Sequence, residues 1–272
     1  MGYDHFPIVQ HLPELSVAEW GVGYEGVVTR DRWHWCFESE AWRHYIYGKQ
    51  NVINGRNYDT VIPNSFDPDD FQFSAKRGNY LLYLGRLVTR KGPHIGALIA
   101  ERLGMRYVVA GPGGKQIDNG RIRMDDGVTF RGEYVGSVGL KERAELFRDA
   151  AVLLVPTIYI EPFGGVACEA MLSGTPVVAH NFGAFTETVR PGVSGYRFST
   201  LPEGCQAVER AMELDRQEVR IYAERFSIWK VRYRYDQWLK SIHGLWADGT
   251  GVGDWLGHGA ASSQVASTSI LE

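Results

Sequence analysis

From Tyr80 to Phe198, short apolar runs alternate with stretches whose apolar positions recur every three or four residues. "YLLYLGRL" is a continuous apolar run closed by Gly85, the pattern of a strand covered on both faces. "GPHIGALIAERLG" follows with helical spacing and Gly104 as its stop. The alternation then repeats. "RYVVAGPGG" reads as a strand ending in glycines, "VTFRGEY" as a third strand and "LKERAELFRDA" as an amphipathic helix. "AVLLVPT" is a strand, "GVACEAMLSG" a helix, "TPVVAH" a strand, "AFTETVR" a short helix and "SGYRF" a strand. Strands alternating with helices predict βαβ crossovers, hence an α/β fold around a doubly wound parallel sheet. From about 203 to 245 the spacing is helical.

Upstream, "SEAWRHYIYG" predicts a helix with Ser39 as cap and Gly48 as stop. "YDTVIPN" predicts a short strand broken by Pro63. "SFDPDDFQFSAKRGN" is polar and turn-rich, a linker near residues 65 to 78. The last stretch, "GTGVGDWLGHGAASSQVASTSILE", is small and polar and predicts disorder.

Composition narrows the class. The chain has 272 residues, 44% hydrophobic and 22% charged, with a formal net charge of -3. That length can bury a sizeable core. That charge provides no global field for nucleic acid, and no nucleic-acid partner is expected. Cys36, Cys168 and Cys205 are scattered and odd in number, neither a disulfide framework nor a metal pattern. With no signal-like start and no spanning apolar run, the expected location is cytoplasmic.

In open α/β sheets, ligands bind beyond the carboxyl ends of the strands. The first strand ends in "GRLVTRKG". Gly85 permits a tight turn, and Arg86 and Lys91 are either surface cations or a pair suited to a diphosphate. The second ends in "AGPGG", where Gly111 is either a plain loop residue or allows a ligand close to the backbone. After the fourth comes "EPFGGVACEAML". Pro162, Gly164 and Gly165 delay the helix, so Glu161 lies in the loop and Glu169 in the first turns. Free N–H groups between two carboxylates suit a ligand with hydroxyls on either side of a phosphate. A sugar nucleotide is such a ligand.

Residues 78 to 230 resemble the C-terminal, donor-binding domain of the retaining GT-B glycosyltransferases, the group of sucrose synthases and many bacterial mannosyl- and glucosyltransferases. The resemblance rests on "GRLVTRKG", "AGPGG", "VTFRGEY", "PTIYIEPFGGVACEAMLSGTPVVAHNFGAFTETV" and "GVSGYRF", in that order. "VIPNSFDPDDF" resembles the family's interdomain linker. The resemblance implies that Arg86 and Lys91 hold the donor diphosphate and that Glu161 faces the sugar hydroxyls. Backbone around Phe163, Gly164 and Gly165 would contact sugar and phosphate. Glu169 would bind the ribose, and the backbone near Glu133 and Tyr134 the base. Glu187 would be either a ligand contact or a helix cap. The reaction implied is hexose transfer from a UDP- or GDP-sugar to an acceptor hydroxyl, with retention and with neither metal nor cofactor. A sugar, polysaccharide or lipid-linked acceptor is implied.

The linker arrives early for that family. The resemblance therefore divides the chain into a shortened acceptor-side segment (1–75), a Rossmann-like donor domain (76–230), a helix packing back on the first segment (231–248) and the tail (249–272). A shortened first segment leaves a second reading, a binding subunit completed by a partner chain or a second copy. A sugar-nucleotide epimerase is a third. "DPD" at Asp67–Asp69 reads as a turn, and the Trp, His and Cys residues of "WHWCFESEAWRH" as core. The basic and aromatic "FSIWKVRYRYDQWLK" either packs on the first segment or touches a membrane surface peripherally.

Overall fold

The computed structural model describes residues 17–20, 33–54, 59–117 and 120–247. The start of the first segment and the tail beyond residue 247 lie outside the described residues. The larger unit is built on six parallel strands: β4 (Tyr80–Leu84), β5 (Arg106–Ala110), β9 (Glu133–Gly136), β10 (Val152–Val155), β11 (Val177–His180) and β12 (Gly195–Phe198). Their spatial order is β12-β11-β10-β4-β5-β9. The chain works outward from β4 to one edge, returns, and works outward from β10 to the other, as in a Rossmann fold.

Strand alternation explains the two cores. In β4, Leu81 and Tyr83 point to one face, with Val109, Leu154 and Val178. There they meet α2 (Pro93–Leu103) and α6 (Leu201–Ala211). Tyr80 and Leu82 point to the other face, with Val108, Leu153 and Val177. There they meet α3 (Leu140–Asp149), α4 (Gly165–Leu172) and α7 (Arg216–Ala223). Gly104 ends α2 in the left-handed conformation, as the sequence predicts.

Two features differ from the sequence reading. "VTFRGEY" is two strands, not one. β8 (Thr129–Arg131) closes an antiparallel sheet with β6 (Gly114–Ile117) and β7 (Arg121–Met124), and after Gly132 the chain starts β9 in the main sheet. The linker is also anchored. Arg216, 3% exposed, donates to the carbonyls of Ser74 (2.7 Å), Ala150 (2.8 Å) and Arg148 (2.7 Å) and to Thr175 Oγ1 (2.8 Å). Burial pulls its guanidinium down to about 10.

The smaller unit has a parallel sheet in the order β1 (Val17–Trp20), β2 (Trp33–Phe37), β3 (Thr60–Val61), followed in the chain after β2 by α1 (Glu40–Lys49). Ser39 caps α1, its Oγ accepting from Trp42 N at 3.1 Å. Trp35, Cys36, Phe37 and Trp42 are buried, and "DPD" is part of a 3-10 turn capped by Asp67. The long last helix, α8 (Ile228–Ala247), returns to this unit. Its Val231, Trp238 and Ile242 pack on Cys36 and Ile62, and Arg234 donates to the Val61 carbonyl at 2.6 Å. Among the described residues no helix is long and apolar enough to cross a membrane.

Replacing Arg216 by Met strands several buried carbonyls and is expected to lower stability by about 3 kcal/mol in urea denaturation. A loss under about 1 kcal/mol would mean that those carbonyls find other donors.

Candidate functional site

Chain crossovers leave β4 and β10 toward opposite edges, so a gap opens between their carboxyl ends. Four loops, after β4, β5, β9 and β10, enclose a cavity of about 360 Å³ there with the head of α4 and Arg143. The first loop, after β4, touches the second, after β5. Gly111 has φ 131°, and a Cβ on it would lie 2.0 Å from the Gly85 carbonyl oxygen. Only glycine allows these backbones to meet.

The loop after β10 is fastened to the first loop. Ile158 N donates to the Arg90 carbonyl at 2.9 Å, and the Tyr159 ring faces both Arg90 and Lys91, the latter with Nζ 5.0 Å from its centroid. Lys91 Nζ reaches Glu161 Oε2 at 2.5 Å, and the Tyr159 hydroxyl donates to the same oxygen at 2.6 Å. Glu161 is buried, and its carbonyl accepts from Ala184 N at 3.0 Å in the loop after β11. Three loops therefore fix one carboxylate.

Gly164 precedes α4 with φ 76°, and a Cβ there would lie 2.3 Å from the Phe185 ring. No side chain caps the helix. Its first residues, Gly165 and Val166, line the cavity, so the positive end of the helix dipole faces it. Glu169 lies one turn further in and is paired with Arg143 of α3. Burial pushes its carboxyl up to about 7, against the pull of Arg143.

The fold thus gathers Gly85, Arg86, Lys91, Gly111, Glu161, Gly164 and Gly165 around one cavity, with Glu169 behind Arg143. Phe163 does not line the cavity; its ring is buried against Phe66 and Phe226. Glu133 and Tyr134 lie elsewhere. Glu133 begins β9 and grips Arg106 at 2.7 and 2.8 Å, which holds its carboxyl below the usual range. Tyr134 N donates to Gln116 Oε1, and its hydroxyl to the Gly111 carbonyl. The cavity wall there is Ser137 and Val138, at the carboxyl end of β9. Glu187 is also outside the cavity. Its carboxylate caps α1, accepting from Glu40 N (2.9 Å) and Ala41 N (2.8 Å).

Sequence reasoning missed four contributors. Thr157 lines the cavity with a buried hydroxyl that has no hydrogen-bond partner, and its place after "LLVP" marks it as a strand-end residue. Tyr159 orients Glu161, and Arg143 pairs with Glu169. Glu38 follows β2 in the smaller unit, 6% exposed and close enough to Glu161 to feel its charge. Burial raises its carboxyl to about 7, opposed by a hydrogen bond with Asn64. Among the described residues no group of three His, Cys, Asp or Glu side chains could hold a metal ion.

A Rossmann-ordered parallel sheet carrying a smaller α/β unit over its carboxyl ends has the architecture of the GT-B glycosyltransferases. The chain belongs to the family described as "Glycosyl transferases group 1", whose model matches residues 78–213, half of the chain. It is 36% identical over 148 residues to the glycogen synthase of Mycobacterium tuberculosis (strain CDC 1551 / Oshkosh), covering 50% of this chain and 35% of that protein. It thus spans about a third of the length of that curated relative. Among solved structures, AviGT4, a glycosyltransferase involved in Avilamycin A biosynthesis, superposes with TM-score 0.60 at 25% identity, covering 77% of this chain and 64% of that one. Anabaena Alr3699/HepE, solved in complex with UDP and glucose, superposes with TM-score 0.57 at 18% identity over 77% of this chain and 71% of its own.

The raised Glu38 carboxyl has a signed consequence. Its folded-state value of about 7 exceeds the ordinary glutamate value of 4.5, so the folded protein incurs a growing cost as pH rises between them. Glu38→Gln removes that cost. The variant's stability relative to wild type should rise by about 3 kcal/mol between pH 5 and pH 8. Urea denaturation at both pH values measures it, and a pH-independent difference would refute the assignment.

Proposed function

We propose that the chain is a retaining glycosyltransferase that moves a hexose from a nucleotide-diphosphate sugar to an acceptor hydroxyl without a metal. The observation that carries this reading is the Lys91–Glu161 pair beside the open start of α4. A donor diphosphate would lie across that helix start, between Arg86 and Lys91. As the phosphates draw Lys91, Glu161 becomes free to accept hydrogen bonds from sugar hydroxyls. Glu169 would receive the ribose hydroxyls, and the base would lie along the backbone of Ser137 and Val138.

Cleaving the sugar–phosphate bond leaves negative charge on the departing diphosphate. Arg86, Lys91 and the helix dipole are already aimed at that charge, so stabilisation needs no reorganisation during the reaction. The acceptor, a sugar, polysaccharide or lipid-linked hydroxyl, would attack from the face the diphosphate leaves, which retains configuration. Glu38, whose buried carboxyl feels the charge of Glu161, would border the acceptor. The donor is a UDP- or GDP-sugar, supported by the neighbour solved with UDP and glucose.

Thermal denaturation with UDP, GDP and ADP, each with and without its sugar, tests the donor site. A ligand at a hundred times its dissociation constant adds about 2.7 kcal/mol. One nucleotide should raise the melting temperature, and Glu169→Ala should abolish the shift; no shift with any nucleotide would sink the reading. Lys91→Met should slow donor cleavage by about 100-fold or more, the scale of losing a donor to the transition-state charge. Donor turnover followed by released nucleotide measures this.

A further inference from the structure

Arg143 enters the cavity from α3, on the wall formed by the loop after β9 and that helix. Its guanidinium pairs with Glu169 Oε2 and stands 5.7 Å over the ring of the fully buried Phe147. Its Nε is buried and has no hydrogen-bond partner. Glu169 is largely enclosed, and its Oε1 lies beside Gly165 at the head of α4. The carboxylate is therefore held between a cation of one helix and the start of another.

A carboxylate so enclosed keeps its proton to higher pH without a cation than with one, and the protonated group loses acceptor capacity. Among the described residues, the other charged and titratable groups around it do not replace Arg143. Cys168 is its neighbour on α4 and fully buried. Arg225, in the 3-10 turn after α7, acts on Cys168 and bonds the Tyr222 hydroxyl of α7 at 2.9 Å. Lys91 is bound to Glu161.

We propose that Arg143 is a positioning residue of the donor site, holding Glu169 ionised and oriented so that it accepts the ribose hydroxyls of a nucleoside diphosphate. The proposal rests on the donor-site reading above and adds to it a residue that the local sequence pattern does not mark. It also sets the pH range in which the donor binds, because a hydroxyl donates well only to the ionised carboxylate.

The test has a part that needs no ligand. With glutamate labelled at the side-chain carboxyl carbon, NMR follows Glu169 through a pH titration of the full chain, assigned by Glu169→Gln. The wild type should titrate near neutral pH. Arg143→Leu should move the midpoint up by at least one pH unit, and Arg143→Lys by less. An unmoved midpoint overturns the proposal, and if Arg143→Leu does not fold, Arg143→Lys carries the same comparison. Calorimetry with UDP and GDP from pH 6 to 9 supplies the second part. Arg143→Leu should bind the preferred nucleotide at least tenfold more weakly at pH 7 and regain part of that by pH 9. A loss equal at every pH overturns the proposal, since it means packing or direct phosphate contact. If the wild type binds neither nucleotide while the NMR midpoints move as expected, the donor-site reading fails and the Arg143–Glu169 coupling stands apart from it.

Discussion

The divergence of the chain at β4 and β10 is the constraint on which the rest of the structure depends. Parallel strands need crossovers, and crossovers need helices on both faces. Where one strand's crossover turns to the left edge and its neighbour's to the right, no helix can fill the space beyond their carboxyl ends. The gap is then a by-product of covering the sheet. Everything chemically distinctive lies around it: the Gly85–Gly111 approach, the Lys91–Glu161 bond and the uncapped start of α4.

Charge in this gap is arranged in pairs. Lys91 meets Glu161, and Arg143 meets Glu169. Glu169 is too enclosed to stay ionised cheaply without Arg143, and Lys91 lies beside the open start of α4, where an anion would attract it. The cavity thus holds both signs, with Arg86 in excess over the two pairs. A ligand bearing phosphate and hydroxyl groups can take Lys91 from Glu161 and return hydroxyl donors to it, while the Arg143–Glu169 pair stays closed. A simple anion would take Lys91 and return nothing to Glu161.

Much of the larger unit was legible in the sequence. β4 and β10 are continuous apolar runs because they are covered on both faces, and Gly104 stops α2 where a left-handed residue is needed. The gathering of Arg86, Lys91 and Glu161 was legible because strand-end loops converge in any such sheet. The β6–β7 hairpin was passed over although "RIRM" alternates exposed and buried positions, because its apolar face is only Ile122 and Met124. Glu133 and Tyr134 came from the resemblance, not from the strand pattern; the switch between sheets after Gly132 makes both part of β9, and the cavity is lined further along by Ser137 and Val138. Arg143 left no local mark, because its role depends on α3 lying against α4. Glu187 was open between ligand contact and helix cap, and what decides for the cap is a pair of amides 147 and 146 residues away.

The two units are joined by a narrow seam with an unusual mechanical character. The chain passes between them at Phe66 and again beside it at Ser227, with Phe66 N bonded to the Phe226 carbonyl at 3.0 Å and Ile228 N to the Phe66 carbonyl at 2.8 Å. Behind the seam, α8 grips the smaller unit through a dry cluster around Cys36 and Trp238. In front, at the cavity, the bonds are polar: Ser39 Oγ to the Pro162 carbonyl, and Glu187 to the head of α1. Ile160, next to Glu161, also packs on the Trp35 and Phe37 core of the smaller unit there. The seam is thus fastened on both sides, by apolar packing at the back and by packing plus hydrogen bonds at the front. Because the front fastenings flank Glu161 directly, any strain between the two units would be felt first at that carboxylate.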